Sequence, residues 1–318
     1  MSVSGIYPGG ARFALTVVDD TDNATVENVG PIYDLLTSLG IRVTKTVWVY
    51  PPRDAFRGQC LQDPDYLEFV RKLKREGHEI GLHNVGSGAF RRDEILAGLE
   101  SFRELLGDYP KLHANHVSNP DNLYWRPERR FRPPVSLAYA LVRRIMRIAL
   151  RRPLTGSNGD QEDSPYFWGD AARRHVRYVR NLTFNGLDTL AADPAMPYFD
   201  GRKPYVNAWF SSSDGHTVAH FTDLLEAGRL DRLEAAGGVS VVYTHFTDGF
   251  VRDGRVDPKF EARLRDLARR PGWFAPATEV LDWLAARTAR PAASAGYLRR
   301  LEMRWLFERM GNYLRYRR

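Results

Sequence analysis

The sequence predicts an α/β fold in which parallel strands form either a barrel or an open sheet, with helices outside it. Runs rich in β-branched and apolar residues alternate with segments that carry apolar residues at helical spacing. A strand-then-helix order requires crossover connections, and these place successive strands parallel. The chain has 318 residues, 43% of them hydrophobic, which suits one large domain of this class.

The alternation is regular over the first third of the chain and returns near its end. Gly40 and Gly107 are well placed to end helices because glycine adopts the left-handed conformation that follows a helix. Predicted strands cover residues 11–18, 41–49, 78–83, 109–116 and 237–246, and predicted helices cover 24–40, 63–77, 91–107, 258–272 and 278–289.

Between about residues 117 and 204 this order breaks down, and the stretch is rich in proline, arginine and aromatic residues. The following strand and helices would not fold alone, so the stretch is interpreted as an insertion rather than a separate domain. We therefore expect one catalytic domain over residues 1–290, with an insertion at about 126–203. A basic amphipathic helix over 291–318 follows it.

Composition limits the chemistry. Cys60 is the only cysteine, so neither a disulfide within the chain nor a thiolate metal cluster can form. Any metal must be bound by histidine, carboxylate and water. The N-terminal residues do not resemble a signal peptide, and no run approaches the roughly 18 apolar residues of a membrane span. The expected location is the cytoplasm, with the inner face of the membrane as an alternative.

The formal charge is +7, and arginines are concentrated at 143–152 and 299–318. A solvated basic surface explains this, and so does a phosphate-bearing sugar precursor or an anionic membrane; we do not expect nucleic acid. Residues 137–152 carry apolar positions at helical spacing with arginines mostly off that stripe, as an interfacial helix requires. Packing of such stripes on the domain is an equal alternative. The stripe comprises Leu137, Leu141, Ile145 and Ile148.

Carboxylates and imidazoles stand at the predicted ends of several strands. The first strand ends in Asp19 and Asp20, and the third in His83. The fourth ends in His113 and His116, and the last in His245. The carboxyl ends of parallel strands meet at one edge of the fold, so these groups predict a metal site there. Taken singly, an aspartate pair is often a helix cap, and a lone histidine is more often structural.

Three segments resemble motifs of the polysaccharide deacetylases of the NodB-homology type, also called carbohydrate esterase family 4. They are FALTVVDDTD, GHEIGLHN, and VVYTHF followed by a helix ending in EVLDWL. The resemblance implies a distorted (β/α) barrel, a divalent metal that is usually zinc, and removal of an N-acetyl group from a sugar. It also implies that Asp19 is the base, that Asp20 and His83 bind the metal, and that His245 is the acid.

The middle of the chain does not follow the family's pattern, and within the matching motifs one departure concerns the metal site. A second metal-binding histidine is expected four residues after His83, but residue 87 is serine. We expect His116 to replace it, with His113 and Asp22 as alternatives, unless the metal site has decayed. Further candidates for substrate binding are polar and aromatic residues that turns or the core would explain equally well. They are His113, Asn115, Asn119, Tyr124, Trp125 and Asp214.

The function that the sequence favours is metal-dependent removal of an acyl group from a sugar precursor, nucleotide-linked or lipid-linked, in surface polysaccharide biosynthesis. A glycosidase would need two carboxylates flanking the scissile bond, and Asp19 and Asp214 are candidates, but it leaves the histidines unexplained. A non-catalytic sugar-binding or membrane-associated protein with a relic site is the third hypothesis, and Ser87 supports it.

Overall fold

The computed structural model describes residues 5–117, 119–141, 157–287 and 292–315, with side chains up to residue 310. Seven parallel strands follow one another around a barrel, and β1 pairs with both β2 and β7, which closes it. The barrel predicted from the sequence is confirmed. The strands are β1 (Phe13–Asp19), β2 (Thr44–Val47), β3 (Glu79–Leu82), β4 (Leu112–His113), β5 (Tyr178–Phe184), β6 (Ala208–Asp214) and β7 (Val239–Thr244).

Three short strands complete the set. The hairpin of β8 (Val251–Arg252) and β9 (Arg255–Val256) follows β7. Strand β10 (Gly272–Trp273) runs parallel to the first residues of β1. It occupies the part of β1 that β2 leaves free, because β2 pairs only with Val18 and Asp19. This unequal pairing is the distortion of the barrel.

Helices cover the outside of the barrel. Every residue of β1 is buried, since the barrel interior is filled and the outer face is covered by helices. The helices are α1 (Val26–Ser38), α2 (Pro64–Arg75), α3 (Arg92–Leu106), α4 (Pro127–Arg130), α5 (Gly169–His175), α6 (Thr189–Ala192), α7 (Val218–Leu224), α8 (Ala227–Ala236), α9 (Pro258–Ala268), α10 (Ala277–Arg287) and α11 (Ala295–Arg315).

The middle of the chain contributes more to the barrel than its sequence indicates. Strand β5 lies within the predicted insertion of 126–203, yet it pairs with β4 on one side and β6 on the other. Its sequence, YVRNLTF, was not recognised because Arg180 and Asn181 interrupt the apolar pattern. The excursion from the barrel is therefore the stretch between β4 and α5. It includes α4 and helical residues 135–141.

The C-terminal helix α11 packs on this excursion. Its apolar stripe of Leu298, Leu301 and Trp305 is buried, and the Trp305 ring stacks on Phe131 with centroids 4.9 Å apart. Phe307 and Met310 on the same helix remain exposed. Most of the other predicted amphipathic helix, from residue 142 onward, lies outside the described residues. Among the helices that are described, none is long and apolar enough to cross a membrane.

A buried carboxylate joins α11 to the barrel and gives a first prediction. Asp193 accepts hydrogen bonds from Ser211 Oγ at 2.7 Å and from the Tyr297 hydroxyl, and burial raises its pKa to about 6. A carboxyl group whose pKa is raised by folding stabilises the protein below its unfolded pKa, and this contribution is lost as pH rises through about 6.

Asp193→Asn should remove this dependence, because an amide does not ionise. The free energy of unfolding of the variant, relative to that of wild type, should therefore rise by up to about 3 kcal/mol between pH 4 and pH 7. Urea unfolding of both proteins at the two pH values measures the gain. A difference between them that does not change with pH would contradict the assignment.

Candidate metal centre

Asp22 lies among three histidines at the carboxyl end of the barrel. Its Oδ1 is 2.6 Å from His116 Nε2 and 3.6 Å from His83 Nε2. Its Oδ2 is 2.7 Å from His245 Nε2. The three histidines follow or end β3, β4 and β7, while Asp22 follows β1. The barrel topology therefore brings together residues that are far apart in sequence.

The ring orientation of two histidines is fixed by hydrogen bonds on the far side of each ring. His83 Nδ1 is 2.9 Å from the carbonyl oxygen of Ala114, which can only accept. His116 Nδ1 is 3.2 Å from Asn119 Oδ1, and the same oxygen accepts a bond from the backbone N–H of Gly88. Both Nδ1 atoms therefore carry a proton, and each Nε2 faces Asp22, where it could bind a cation.

The donor set fits a divalent metal. His83 Nε2, His116 Nε2 and Asp22 Oδ1 are buried, and although His116 Nε2 lies 2.6 Å from Asp22 Oδ1, none of the three atoms makes a hydrogen bond of acceptable geometry in the described part of the chain. One ligand atom from each of these residues lies within 4.8 Å of the others. Buried polar atoms are rarely left unpaired, and a bound cation would satisfy all three at once. Two imidazoles and a carboxylate are the protein ligands of many catalytic zinc sites.

Asp20 stands beside this cluster and is held by an arginine. Arg180 Nη1 donates to Asp20 Oδ1 at 2.8 Å, and Nη2 donates to Oδ2. His83 Nε2 is 3.9 Å from Asp20 Oδ2. Burial alone would raise the pKa of Asp20, but the Arg180 guanidinium and the nearby imidazoles outweigh it and lower that pKa. Asp20 is therefore an ionised, oriented carboxylate at the edge of the cluster.

Asp22 and His245 shift each other's pKa in the directions expected of opposite charges. Burial opposes ionisation of Asp22, yet His83, His116 and His245 hold its pKa well below the usual value. Burial also opposes protonation of His245, but hydrogen bonding to Asp22 and the charge of Asp20 raise the pKa of this imidazole. Asp22 and His245 thus stabilise each other's charged forms.

Asp19 lies deeper in the barrel than the cluster. Its Oδ2 accepts from Lys45 Nζ at 2.8 Å and from the Tyr33 hydroxyl at 2.9 Å. Its Oδ1 accepts from the backbone N–H of Phe246 at 2.9 Å. Neither Asp19 nor Lys45 is exposed to solvent. Both Asp19 oxygens are therefore occupied, and the side chain does not line the cavity described next.

A cavity of about 1030 Å³ opens above the cluster. Its polar floor includes Asp20, Asp22, His83, His245, Arg180 and Asn115. Its opposite wall is apolar and comes from the excursion and from α11, with Trp125, Tyr139, Leu141 and Trp305. The cavity thus presents a charged cluster and an apolar surface to one ligand.

The structure places the predicted site residues in three groups. His83, His116 and His245 surround Asp22, Asp20 lies next to them, and Asn115 and Trp125 line the cavity. Asn119 orients His116 from behind. The remaining predicted residues do not reach the cavity: Asp19, His113, Tyr124 and Asp214.

Each residue outside the cavity has a structural environment that explains it. His113 is buried against Trp168, and burial lowers its pKa to about 3. The Tyr124 hydroxyl accepts from the Tyr205 backbone, and Asp214 pairs with His216 and Arg309. Ser87 does not contact the cluster, because its hydroxyl donates to Asp54.

The sequence gives one central residue only second rank and does not indicate another. Asp22 is only an alternative ligand by sequence, yet it lies at the centre of the cluster. Arg180 was missed because its strand was assigned to an insertion. In YVRNLTF the apolar residues Tyr178, Leu182 and Phe184 stand at even spacings, and this pattern was the signal that could have indicated a strand carrying a functional arginine.

The sequence matches no protein-family model and no curated protein. Among solved structures, Puue allantoinase is 13% identical and aligns over 88% of this chain and 92% of its own, with a TM-score of 0.52. A protein assigned as a polysaccharide deacetylase from Mycobacterium smegmatis is 15% identical over 92% and 98%, with a TM-score of 0.48. A family 4 acetyl xylan esterase from Clostridium thermocellum, solved with a cobalt ion, is 13% identical over 85% and 91%, with a TM-score of 0.40.

At these identities the similarity shows the fold alone, and the allantoinase, with a TM-score above 0.5, shares the fold of this chain. The chain is divergent from each of them.

The geometry predicts which residues hold a metal. Asp22→Ala and His83→Ala should lose zinc, since each removes one of three ligand atoms. Asn119→Ala removes only the partner that orients His116, so its zinc affinity should fall by about 10- to 100-fold. Competition with a chromogenic chelator measures these affinities.

Ser87→Ala is the matched control, because Ser87 lies next to this region but bonds to Asp54. Its zinc affinity should equal that of wild type. One full equivalent of tightly bound zinc in Asp22→Ala would contradict the assignment of Asp22.

Proposed function

We propose that this protein is a metal-dependent hydrolase that removes an acyl group from an amide nitrogen. The observation that carries the proposal is the convergence of three buried ligand atoms, from Asp22, His83 and His116, beside the cavity. Asp20 and His245, which can transfer protons, lie against the same cluster. The resemblance of the sequence motifs to sugar deacetylases supports an N-acylated sugar as the substrate, and surface polysaccharide biosynthesis as its setting.

Zinc is the metal that the donor set favours, because imidazole nitrogen and carboxylate oxygen together suit zinc better than magnesium or calcium. When bound, such a cation polarises the acyl carbonyl and lowers the pKa of a water ligand. Three protein ligands leave positions open for water and substrate. The protein must still supply a proton acceptor and a proton donor.

Asp20 is the residue that the geometry favours as proton acceptor. The Arg180 fork keeps its carboxylate ionised and fixed beside the cluster. Both aspartates have hydrogen-bonded oxygens, but Asp20 lines the cavity, whereas Asp19, to which the motif resemblance assigns the base, lies outside it. Assignment of the base to Asp19 stays a prediction, and the two aspartates are separated by experiment below.

His245 is the proposed proton donor to the leaving amine, which would otherwise depart as a poor leaving group. It lines the cavity, and Asp22 Oδ2 lies 2.7 Å from its Nε2. Asp248 Oδ2 lies 3.6 Å from its Nδ1. Carboxylates at both ring nitrogens stabilise the protonated form that an acid requires.

The two alternative functions find less support. A glycosidase acting through Asp19 and Asp214 would need both carboxylates at the cavity, and neither lines it. A relic metal site was suggested by Ser87, but the cluster contains a complete set of three ligand residues without that position.

Removal of the proton-transfer groups should leave the metal in place. Asp20→Asn and His245→Gln should each retain zinc and lose turnover by about 10²- to 10⁴-fold. Acetate release from a panel of N-acetylated sugars, nucleotide sugars and lipid-linked sugars measures turnover and tests the substrate class. Asp34→Asn, an exposed substitution on α1, is the control. Wild-type turnover in Asp20→Asn would reject Asp20 as the base.

Asp19→Asn should act mainly on stability. It leaves the Lys45 ammonium buried without a counter-charge, which costs about 3–5 kcal/mol in comparable pairs. Combining it with Lys45→Met should restore part of this loss, and a double-mutant cycle by urea unfolding measures the coupling. An Asp19→Asn protein of unchanged stability that had lost all turnover would instead support Asp19 as the base.

A further inference from the structure

Arg130, in α4, is a buried arginine without a carboxylate partner. Its side chain lines the cavity and it is 7% exposed. Nη2 donates to the carbonyl oxygen of Asn181 at 2.8 Å, while Nε has no partner. No ion pair involves Arg130 within the described ranges, whereas Arg129 pairs with Asp160 and Arg132 pairs with Asp200.

The surroundings of Arg130 are aromatic and positively charged. Its guanidinium carbon lies 3.8 Å from the ring centroid of Trp125 and 5.5 Å from that of Trp305. Burial lowers the pKa of Arg130 to about 10, and the charges of Arg309 and Arg180 act in the same direction. Arg130 is still charged at neutral pH. Contact with aromatic faces recovers only part of the cost of removing a guanidinium from water.

Arg130 and the metal cluster face the same ligand space. Arg130 bonds to the backbone of Asn181, and the preceding residue, Arg180, holds Asp20 of the cluster. The same cavity is lined by all four of these residues, Arg130, Asn181, Arg180 and Asp20. The paired arginines are already neutralised, Arg180 by Asp20 and Arg309 by Asp214. Arg130 is thus the cation in this cavity wall that lacks a counter-charge among the described residues.

An apolar rim adjoins Arg130. It is formed by Leu141, Leu306 and Met310, which line the cavity from helical residues 135–141 and from α11. Leu141 is 60% exposed and Met310 is 53% exposed. Large apolar side chains that stay exposed beside a charged pocket are typical of a surface that binds an apolar group.

We propose that Arg130 binds a phosphate group of the substrate and that the apolar rim receives a lipid chain carried on that phosphate. This inference rests on the proposed function, which places the N-acyl group of the substrate at the metal cluster. It specifies the substrate class as a lipid-linked N-acylated sugar phosphate. The guanidinium fork matches phosphate oxygens in pairs. A nucleotide-linked sugar would supply the same phosphate, but its polar nucleoside would not match the rim.

Direct binding tests the proposal without turnover. Farnesyl phosphate, farnesol and uridine diphosphate are titrated into the zinc-loaded protein while tryptophan fluorescence is followed, since Trp125 and Trp305 flank Arg130. Farnesyl phosphate should bind at least about 10-fold more tightly than the other two, because only it supplies both the charge and the chain. Arg130→Gln should weaken the binding of farnesyl phosphate by about 10-fold or more.

Two control variants separate the parts of the site. Arg269→Gln removes the same charge from an exposed position and should bind farnesyl phosphate as wild type does. Met310→Ser should weaken the binding of farnesyl phosphate but leave the affinity for inorganic phosphate unchanged. Equal affinities of wild type and Arg130→Gln, at equal melting temperatures, would overturn the phosphate site. Binding of uridine diphosphate as tight as that of farnesyl phosphate would overturn the lipid assignment.

Two further measurements keep the test independent of folding and of catalysis. If Arg130→Gln does not fold, inorganic phosphate should displace farnesyl phosphate from wild type where sodium chloride of equal ionic strength does not; no displacement overturns the site. Asp22→Ala should lose hydrolysis and retain farnesyl phosphate binding. Failure of the proposed function is therefore distinguishable from failure of this inference.

Discussion

The buried ion pair between Asp19 and Lys45 fixes the end of the barrel on which the site depends. Asp19 ends β1, Lys45 lies within β2, and the backbone of Phe246 just after β7 donates to the same carboxylate. One side chain thus ties the two strands that flank β1 to β1 itself. Loss of either charged partner would leave the other buried and uncompensated, which makes this arrangement intolerant of single changes.

The Asp19–Lys45 ion pair positions the residues that follow Asp19 at the cavity. Asp20 meets Arg180 from β5, and Asp22 meets the histidines from three other strands. Because four chain segments contribute, the cluster can form only when the barrel closes. Folding and assembly of the proposed metal centre are therefore one event, and a metal that binds the folded state adds to its stability.

A layer of amide side chains supports the histidines. Asn84 Oδ1 accepts from the backbone N–H of His116, and Asn84 Nδ2 donates to Asp121. Asn119 connects His116 to the backbone of Gly86 and Gly88. Amides can donate and accept at once, so they fix ring orientation without adding a charge that would compete with Asp22 for the metal.

The sequence by itself determined the fold class and the residue types of the site. Strand and helix periodicity is a local property, so the parallel α/β class, the aspartates after β1 and the histidines at strand ends could be predicted from neighbours in the chain, while the choice of a barrel over an open sheet came from the motif resemblance. Strand β5 was harder to recognise, because Arg180 and Asn181 interrupt the apolar pattern that identifies a buried strand, and the position of Arg180 is explained only by its ion pair with Asp20.

Only the tertiary structure decided which aspartate faces the histidines and which cavity-lining arginine lacks a carboxylate partner among the described residues. Asp19, Asp20 and Asp22 are nearly adjacent, and sequence spacing does not show which one points to Lys45, to Arg180 or to His116. Arg130 is one of many arginines in the chain, and it stands out because Arg129 and Arg132 pair with carboxylates while Arg130, which lines the cavity, pairs with none among the described residues. Pairing of charges depends on distances across the barrel, and these exist only once the strands have closed.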